Sequence, residues 1–254
     1  MRKAIDLNAD MGEGFGHYKV ADDAALMPYL SSANIAGGFH AGDPGTLRRT
    51  VTLAHEHGVG IGVHPGYRDL VGFGRRDIDA TAEELRDDVL YQLGALREFA
   101  RLHGAKVQHL KLHGALYMKA AREKELSRVI LEALQKVDPD LIVFCMRASH
   151  TYDLAKELGQ PVAAEFYADR DYNEDGTILF ARSVGHLDAD EVADKVLRAV
   201  QEGKVKATTG KEVEIEFDTV CMHSDTPGAE QMAQAIWQKL NAADIEISPI
   251  GKGD

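Results

Sequence analysis

Short apolar runs alternate with longer amphipathic stretches along nearly the whole chain. Seven of these runs have the length of a β-strand and are bounded by glycine, proline or polar residues. Regular alternation of strands and helices is typical of a parallel sheet whose strands are joined by crossover helices. The predicted strands cover residues 4–9, 34–36, 59–63, 107–112, 141–145, 162–166 and 219–222.

Several of the intervening stretches begin with helix-start signals. An acidic or hydroxyl residue followed by proline, or followed three positions later by glutamate, is typical of a helix N-cap. The stretch after residue 81 also carries apolar residues at a 3.6-residue period, which predicts one buried helix face. The predicted helix starts are Asp43 with Pro44, Thr81 with Glu84, Asp188 with Glu191, and Pro227.

One segment departs from the strand–helix alternation. Residues 205–208 and 213–217 flank a Thr209-Gly210 turn, and the second run alternates apolar residues with glutamate, which predicts a surface hairpin. The chain has neither an internal repeat nor a proline-rich linker, so we expect one domain over residues 1–254. Seven strand–helix units favour a TIM-like (β/α) barrel over a doubly wound sheet.

Polar residues occupy one face of several predicted strands. In the first strand Asp6, Asn8 and Asp10 alternate with apolar residues, and side chains two apart share a face. One interpretation is a half-exposed antiparallel sheet with its polar face in water. If helices cover the outside of a barrel instead, the polar face lines its interior. Unpaired polar groups there cost roughly 1–3 kcal/mol each, so we predict a binding cavity.

Glycine-punctuated motifs follow the predicted strands, at the ends where catalytic groups of a barrel converge. Four of the 11 histidines lie at such ends, whereas His109 lies within a strand and is predicted to be buried and hydrogen-bonded. The four strand-end histidines are His40, His64, His113 and His223.

Two kinds of chemistry fit these groups. Asp10, His64 and His113 have the donor types of a transition-metal site, although no short spacing places two histidines on one element. The competing use is proton transfer and stabilisation of an oxyanion, with Lys111 as a fixed positive charge. Lys111 and Arg170 also suit an anionic substrate. The sequence leaves both uses open.

Composition and charge narrow the range of partners. The net charge is −12, from 41 acidic and 29 basic residues, which argues against a nucleic-acid groove or an anionic membrane surface. Two cysteines exclude a disulfide scaffold, and no apolar run approaches the roughly 20 residues of a membrane span. The first residues lack the apolar core of a signal peptide. We therefore expect a cytoplasmic protein.

Nucleotide binding has only weak local signals. The chain lacks a GxxxxGK[ST] loop, but Gly12, Gly14 and Gly16 follow a strand and can offer backbone N–H groups to a phosphate. A bare turn explains the same glycines. The loop over residues 73–76 either clamps a phosphate with its arginines or is simply solvated.

Taken in order, six blocks of the sequence closely resemble the LamB/YcsF family, which supplies the A subunit of bacterial 5-oxoprolinase. The resemblance covers essentially the whole chain. It implies a seven-stranded (β/α) barrel akin to the glycoside hydrolase and deacetylase barrels. It also implies ATP-dependent ring opening of 5-oxoproline to glutamate, together with partner subunits B and C. The blocks are DLNADMGE at 6–13, SANIAGGFHAGD at 32–43, GVHP at 62–65, KLHGALY at 111–117, FYADR at 166–170 and CMHSD at 221–225.

The chain departs from the usual family pattern at three positions. Gly37 stands where the family usually has cysteine, which excludes a thiol role there. Ser224 and Leu112 replace the usual glycine and proline between two site residues. None of these changes removes a titratable group. The candidate catalytic residues are Asp10, Glu13, His40, Asp43, His64, Lys111, His113, Asp169, Arg170, His223 and Asp225.

The resemblance leads to a mechanistic hypothesis. Arg170 or Lys111 binds the substrate carboxylate or developing phosphate charge, and Asp10 or Glu13 holds a divalent cation, Mg²⁺, with ATP. A histidine handles the proton of the attacking water or of the ring nitrogen. Two alternatives are a stand-alone metal-dependent deacetylase or hydrolase, and a non-catalytic subunit that only binds the lactam. The candidates for proton transfer are His40, His64 and His113.

Overall fold

The computed structural model describes residues 3–251, which form ten β-strands and eight α-helices. The strands are β1 (Ala4–Met11), β2 (Ser32–Ala36), β3 (Gly60–His64), β4 (His109–Leu110), β5 (Ile142–Cys145), β6 (Val162–Tyr167), β7 (Lys204–Lys206), β8 (Glu212–Glu214), β9 (Thr219–His223) and β10 (Glu246–Ile247). The helices are α1 (Asp23–Leu26), α2 (Pro44–Glu56), α3 (Ala82–Arg101), α4 (Gly114–Arg122), α5 (Lys124–Val137), α6 (His150–Leu158), α7 (Ala189–Glu202) and α8 (Ala229–Ala242); a 3₁₀ helix (Met27–Tyr29) follows α1.

Seven parallel strands close into a barrel in the order β1-β2-β3-β4-β5-β6-β9, and β9 pairs with β1 to complete the ring. The predicted (β/α) barrel is confirmed, and the half-exposed antiparallel sheet is wrong. The fourth strand is shorter than predicted. The backbone N–H groups of Gln108 and Lys111 still donate to the carbonyl groups of Ile61 and Val63, at 2.7 and 3.0 Å, so the chain stays beside β3 around this short ladder.

Local sequence signals set most helix starts. Asp43, Thr81 and Asp188 each accept a backbone N–H at the start of a helix, as predicted, and the capping box at Thr81 is complete. Pro227 was predicted to open the last helix, and this is wrong. Gly228 follows it with a φ of 84°, outside the helical range, so α8 begins only after that residue.

The remaining strands lie outside the ring. The predicted hairpin is confirmed as the antiparallel pair β7–β8, in which Val205 faces Val213. Strand β10, which the sequence pattern did not predict, pairs with the first residues of β1. Within residues 3–251, no helix combines the length and apolar character needed to cross a bilayer.

The barrel interior is polar along its whole length, but its lower part is not a cavity. Asn8 donates to Thr219 at 2.6 Å, Asn34 donates to Asn8 at 2.7 Å, and His109 Nε2 lies 2.8 Å from Asn34 Oδ1. Asp6 accepts from the hydroxyl groups of three neighbours at the base. The prediction that the whole polar face lines a cavity is therefore wrong below Asp10, because these side chains hydrogen-bond to one another and leave only His109 Nδ1 without a partner among their polar atoms. His109 is buried and hydrogen-bonded, as predicted.

Candidate active site

A cavity of about 40 Å³ opens at the carboxyl ends of the barrel strands. Polar side chains from β1, β3 and β9 and from the loops after β3, β4 and β6 reach it. Two tyrosines complete the wall. The charged, imidazole and phenol groups that line it are Asp10, His64, Arg75, Lys111, His113, Tyr117, Tyr167, Arg170 and His223.

Lys111 forms a buried ion pair at the floor of this cavity. Its Nζ lies 2.7 Å from Asp10 Oδ1, 2.9 Å from Cys221 Sγ and 3.6 Å from Glu165 Oε1. Burial alone would lower the pKa of the Lys111 amine, but the carboxylates of Asp10 and Glu165 raise it well above its ordinary value. Lys111 is therefore a fixed positive charge.

Asp10 is the anionic partner at the centre of the floor. Burial alone would raise the pKa of the Asp10 carboxyl, but His64 and Lys111 lower it well below its ordinary value. Asn34 donates to Oδ1 at 2.9 Å, and Oδ2 lies 3.2 Å from His64 Nε2 and 3.7 Å from His223 Nε2. The carboxylate is thus bonded on both oxygens.

Asp169 orients His223. Its Oδ1 lies 2.9 Å from His223 Nδ1, while its Oδ2 accepts from Thr226 at 2.7 Å and from Arg170 at 2.8 Å. Burial alone would raise the pKa of Asp169, but its bonds with His223 and the Arg170 charge hold it far below the ordinary range. An ionised Asp169 fixes an N–H on Nδ1, so His223 presents Nε2 to the cavity.

Arg75 was not among the residues predicted for the site. Its guanidinium forms two hydrogen bonds to Asp225, at 2.6 and 2.9 Å, and a third to the Arg182 carbonyl oxygen at 2.7 Å. Arg75 is buried and lines the cavity, so the 73–76 loop is not simply solvated. Asp225 holds this arginine in place. The glycine–arginine composition of the loop was the available signal.

Two tyrosines and a glutamate, which were not predicted as site residues, form the cavity wall next to Lys111. The hydroxyl groups of Tyr117 and Tyr167 donate to Glu165 Oε2 at 3.1 and 2.8 Å, and the two hydroxyls also contact each other. Glu165 and Tyr167 belong to the polar face of β6, so the alternation along that strand was their signal. Glu165 Oε1 is buried without a hydrogen bond and faces Lys111.

Three histidines and one glutamate form a cluster beside the cavity, and two of the histidines also line it. Glu13 Oε1 lies 3.1 Å from His40 Nε2, 3.4 Å from His113 Nδ1 and 3.9 Å from His64 Nε2, while His113 Nδ1 lies 2.9 Å from His64 Nε2. All four side chains are buried. Burial and the Asp10 charge raise the pKa of Glu13 well above its ordinary value. Burial also lowers the pKa of His40 and of His113 well below theirs, so these two imidazoles are neutral.

The glycine loop over residues 12–16, which was predicted to bind phosphate, does not line the cavity. The N–H of Gly12 donates to Asp23 at 3.0 Å, and that of Gly16 donates to Asp43 at 2.9 Å. The Gly14 carbonyl oxygen accepts from Gly42. Asp43 caps α2, and its bonds with Thr46 and Gly16 lower its pKa to about 2. The cavity is lined by none of the three loop glycines and not by Asp43.

The predicted Mg²⁺ does not fit the donors found here. Mg²⁺ demands octahedral coordination by oxygen. The Asp10 carboxylate is occupied by Lys111 and Asn34, and Glu13 is surrounded by imidazole nitrogens. Asp10 and Glu13 are therefore poor ligands for Mg²⁺ in this site.

Sequence comparison places the chain among proteins of similar length. It is 58% identical over 245 residues to a 5-oxoprolinase A subunit of Pseudomonas aeruginosa, covering 96% of this chain and 97% of that relative. It is 43% identical over 249 residues to the 5-oxoprolinase A subunit of Pyrococcus furiosus, covering 97% and 98%.

Structure comparison gives the same grouping. The crystal structure of the lactam utilization protein from Thermus thermophilus superposes with a TM-score of 0.91 at 40% identity, covering 96% of this chain and 99% of that one. A family 4 carbohydrate esterase from Streptomyces lividans, 12% identical with a TM-score of 0.50 over 98% and 93% of the two chains, shares the barrel fold. The LamB/YcsF family model matches residues 5–254, and the chain belongs to the LamB/YcsF family.

Proposed function

We propose that this chain is the A subunit of a 5-oxoprolinase, which opens 5-oxoproline to glutamate with ATP and partner subunits B and C. The names of its relatives support the reaction. An unstrained lactam resists water, and coupling to ATP activates its carbonyl group. An ATP-dependent assembly of this kind would work in the cytoplasm, where ATP is available.

The nucleotide would bind outside this cavity. The cavity is small, about 40 Å³ in volume, and would have to open considerably to admit a nucleotide. The N–H groups of Gly12 and Gly16 already donate to carboxylates. We therefore propose that ATP binds outside this cavity, on this chain or on a partner subunit, and the cavity would have to widen at its loops to admit 5-oxoproline.

The orientation of His223 is the observation that carries the chemical proposal. Its side chain is 13% exposed, whereas those of His64 and His113 are 1% and 2% exposed. His64 and His113 also contact protein partners through both ring nitrogens. We therefore propose His223 as the general base, in place of the three histidines predicted from the sequence. The Asp169 carboxylate holds the His223 ring in the orientation that this role needs.

In the proposed ring-opening step, His223, Lys111 and Arg170 have different roles. The step starts from a lactam whose carbonyl oxygen has already received the terminal phosphoryl group of ATP, with ADP released. His223 Nε2 takes a proton from the attacking water, whose oxygen bonds to the phosphorylated ring carbon, and Lys111 stabilises the negative charge on the oxygens of that carbon. The carbon–nitrogen bond then breaks, His223 returns the proton to the leaving nitrogen, and a second water releases phosphate from the resulting acyl phosphate to give glutamate. Arg170, at the cavity wall, is the partner for the substrate carboxylate.

The test is glutamate release from 5-oxoproline by the purified chain, with and without ATP and subunits B and C. We expect release only in the complete mixture, and a loss of about 10²–10⁴-fold in His223→Gln. Equal release by B and C without this chain would show a non-catalytic role. Cleavage of an acetylated sugar by the chain with metal alone would instead support a deacetylase and overturn the proposal.

A further inference from the structure

The cluster beside the cavity brings together one side-chain atom from each of four strand ends. Its ligand atoms, from Glu13, His40, His64 and His113, all lie within 4.8 Å of one another. Four of the contacts among these atoms are 2.9, 3.1, 3.4 and 3.9 Å. Ligands held tetrahedrally about 2.0–2.1 Å from zinc are roughly 3.3 Å apart, which is close to these four separations. The His40 and His113 rings are stacked, with centroids 3.7 Å apart and planes 4° from parallel, so one of the two rings has to turn before both can face the same ion.

In His64 and His113, one ring nitrogen faces away from the centre of the cluster and contacts a backbone carbonyl group. We call these two atoms the outer nitrogens. His64 Nδ1 lies 2.7 Å from the Lys111 carbonyl oxygen, and His113 Nε2 lies 2.7 Å from the Phe73 carbonyl oxygen. A carbonyl oxygen only accepts, so both outer nitrogens carry hydrogen. His64 Nε2 and His113 Nδ1 are therefore the ring nitrogens left free to coordinate an ion at the centre.

This arrangement is the usual outer shell of metal-binding histidines, which donate their second N–H to a carbonyl or carboxylate group. One of the two carbonyl groups belongs to Phe73, whose φ of 54° is unusual for a bulky residue. The next residue, Gly74, has room for no side chain, because a Cβ there would lie 2.7 Å from His40 Cβ and 2.8 Å from His113 Cδ2. The loop is thus shaped closely around the histidines.

Two buried atoms of the cluster lack a hydrogen-bond partner. They are Glu13 Oε2 and His40 Nδ1, in side chains that are 1% and 0% exposed. A divalent cation held by Glu13 and the inward ring nitrogens would offset the charge of the buried carboxylate and give Glu13 Oε2 a partner.

We propose that Glu13, His40, His64 and His113 bind one divalent transition-metal ion, and that zinc fits best. Three imidazoles and one carboxylate suit zinc, whereas Mg²⁺ selects oxygen ligands. The proposal stands on this cluster alone and is independent of the proposed reaction. Two of the ligands, His64 and His113, also line the cavity, so the ion lies at the wall of the candidate active site.

The test measures metal binding directly. The untagged chain is dialysed against Zn²⁺, bound metal is counted by mass spectrometry, and Co²⁺ is then added to record visible absorption. We expect one Zn²⁺ per chain and the strong absorption bands of four-coordinate Co²⁺. Substoichiometric zinc at micromolar free metal, or weak bands typical of octahedral Co²⁺, would overturn the proposal.

Matched variants locate the ion. Glu13→Gln keeps the shape of the side chain, and we expect it to lower zinc affinity by more than the roughly 10–100-fold that loss of an outer-shell partner costs. His113→Ala should do the same, with circular dichroism confirming that each variant is folded. The exposed His150 is the control, and His150→Ala should bind zinc normally. Unchanged affinity in Glu13→Gln and His113→Ala would overturn the assignment.

Discussion

His223 and Asp169 form a hydrogen-bonded pair across the ends of two neighbouring strands, with 2.9 Å between Nδ1 and Oδ1. Because Asp169 is buried and ionised, it fixes both the tautomer and the direction of the His223 ring. We expect Asp169→Asn to reduce kcat of the complete complex by about 10²-fold or more. We also expect KM to rise, because Asp169 Oδ2 holds the Arg170 guanidinium.

The control for this variant is on the same loop. Asp171 is exposed, and Asp171→Asn should leave kcat within about twofold of the parent enzyme. An Asp169→Asn enzyme with normal kcat and a normal pH profile would contradict the orienting role of Asp169.

Breaking the ion pair under the cavity should destabilise the fold. Removal of one partner of a buried pair leaves an uncompensated charge and costs about 3–5 kcal/mol. We therefore expect Lys111→Met to lower the free energy of unfolding by about that amount in urea titrations. The double variant Lys111→Met with Asp10→Asn should be less destabilised than the sum of the single variants. Additive losses would mean that the two charges do not interact.

Asp6 should make stability fall as pH rises. Burial raises its pKa from 3.8 to about 6, whereas the unfolded chain keeps the ordinary value. Between those two values the folded state holds the proton more tightly, so the free energy of unfolding falls by up to about 3 kcal/mol. Above pH 6 this loss is complete.

The measurement is urea unfolding of the parent chain and Asp6→Asn at several pH values. The difference between the two curves isolates Asp6 from the carboxyl groups that titrate at lower pH. We expect that difference to change between pH 4 and about 6 and to stay flat at pH 7–8. A constant difference over the whole range would rule out the raised pKa.

Gly37 has no room for a side chain. A Cβ there would lie 2.6 Å from Gln92 Cβ, and Gln92 is held by two hydrogen bonds to the Gly66 backbone, at 3.0 and 3.1 Å. Overpacking typically costs about 1–3 kcal/mol, so we expect Gly37→Ala to lower the melting temperature.

Gly94, in α3, is the matched control. A Cβ at Gly94 would meet nothing within 4 Å. Gly94→Ala should therefore stabilise the helix by about 0.5–1 kcal/mol. Equal effects of the two alanine variants, measured by thermal unfolding, would show that Gln92 moves aside.

The sequence by itself determined the repeating units of this protein. The alternation of apolar and polar residues along a strand is local, and so are the caps at Asp43 and Thr81. These signals predicted the seven barrel strands, the β7–β8 hairpin and the polar barrel interior. They did not predict β10, because this strand near the C-terminus pairs with β1 near the N-terminus, and local patterns do not show such a distant pairing.

The tertiary structure decided which of the polar side chains meet. Alternation shows the face on which a residue lies, but strand register and the return path of each loop set its neighbours. His40, His64 and His113 therefore looked equivalent to His223 in the sequence, yet they surround Glu13 while His223 pairs with Asp169. The same long-range geometry buries Arg75 against Asp225, at a separation of 150 residues that no local pattern can encode.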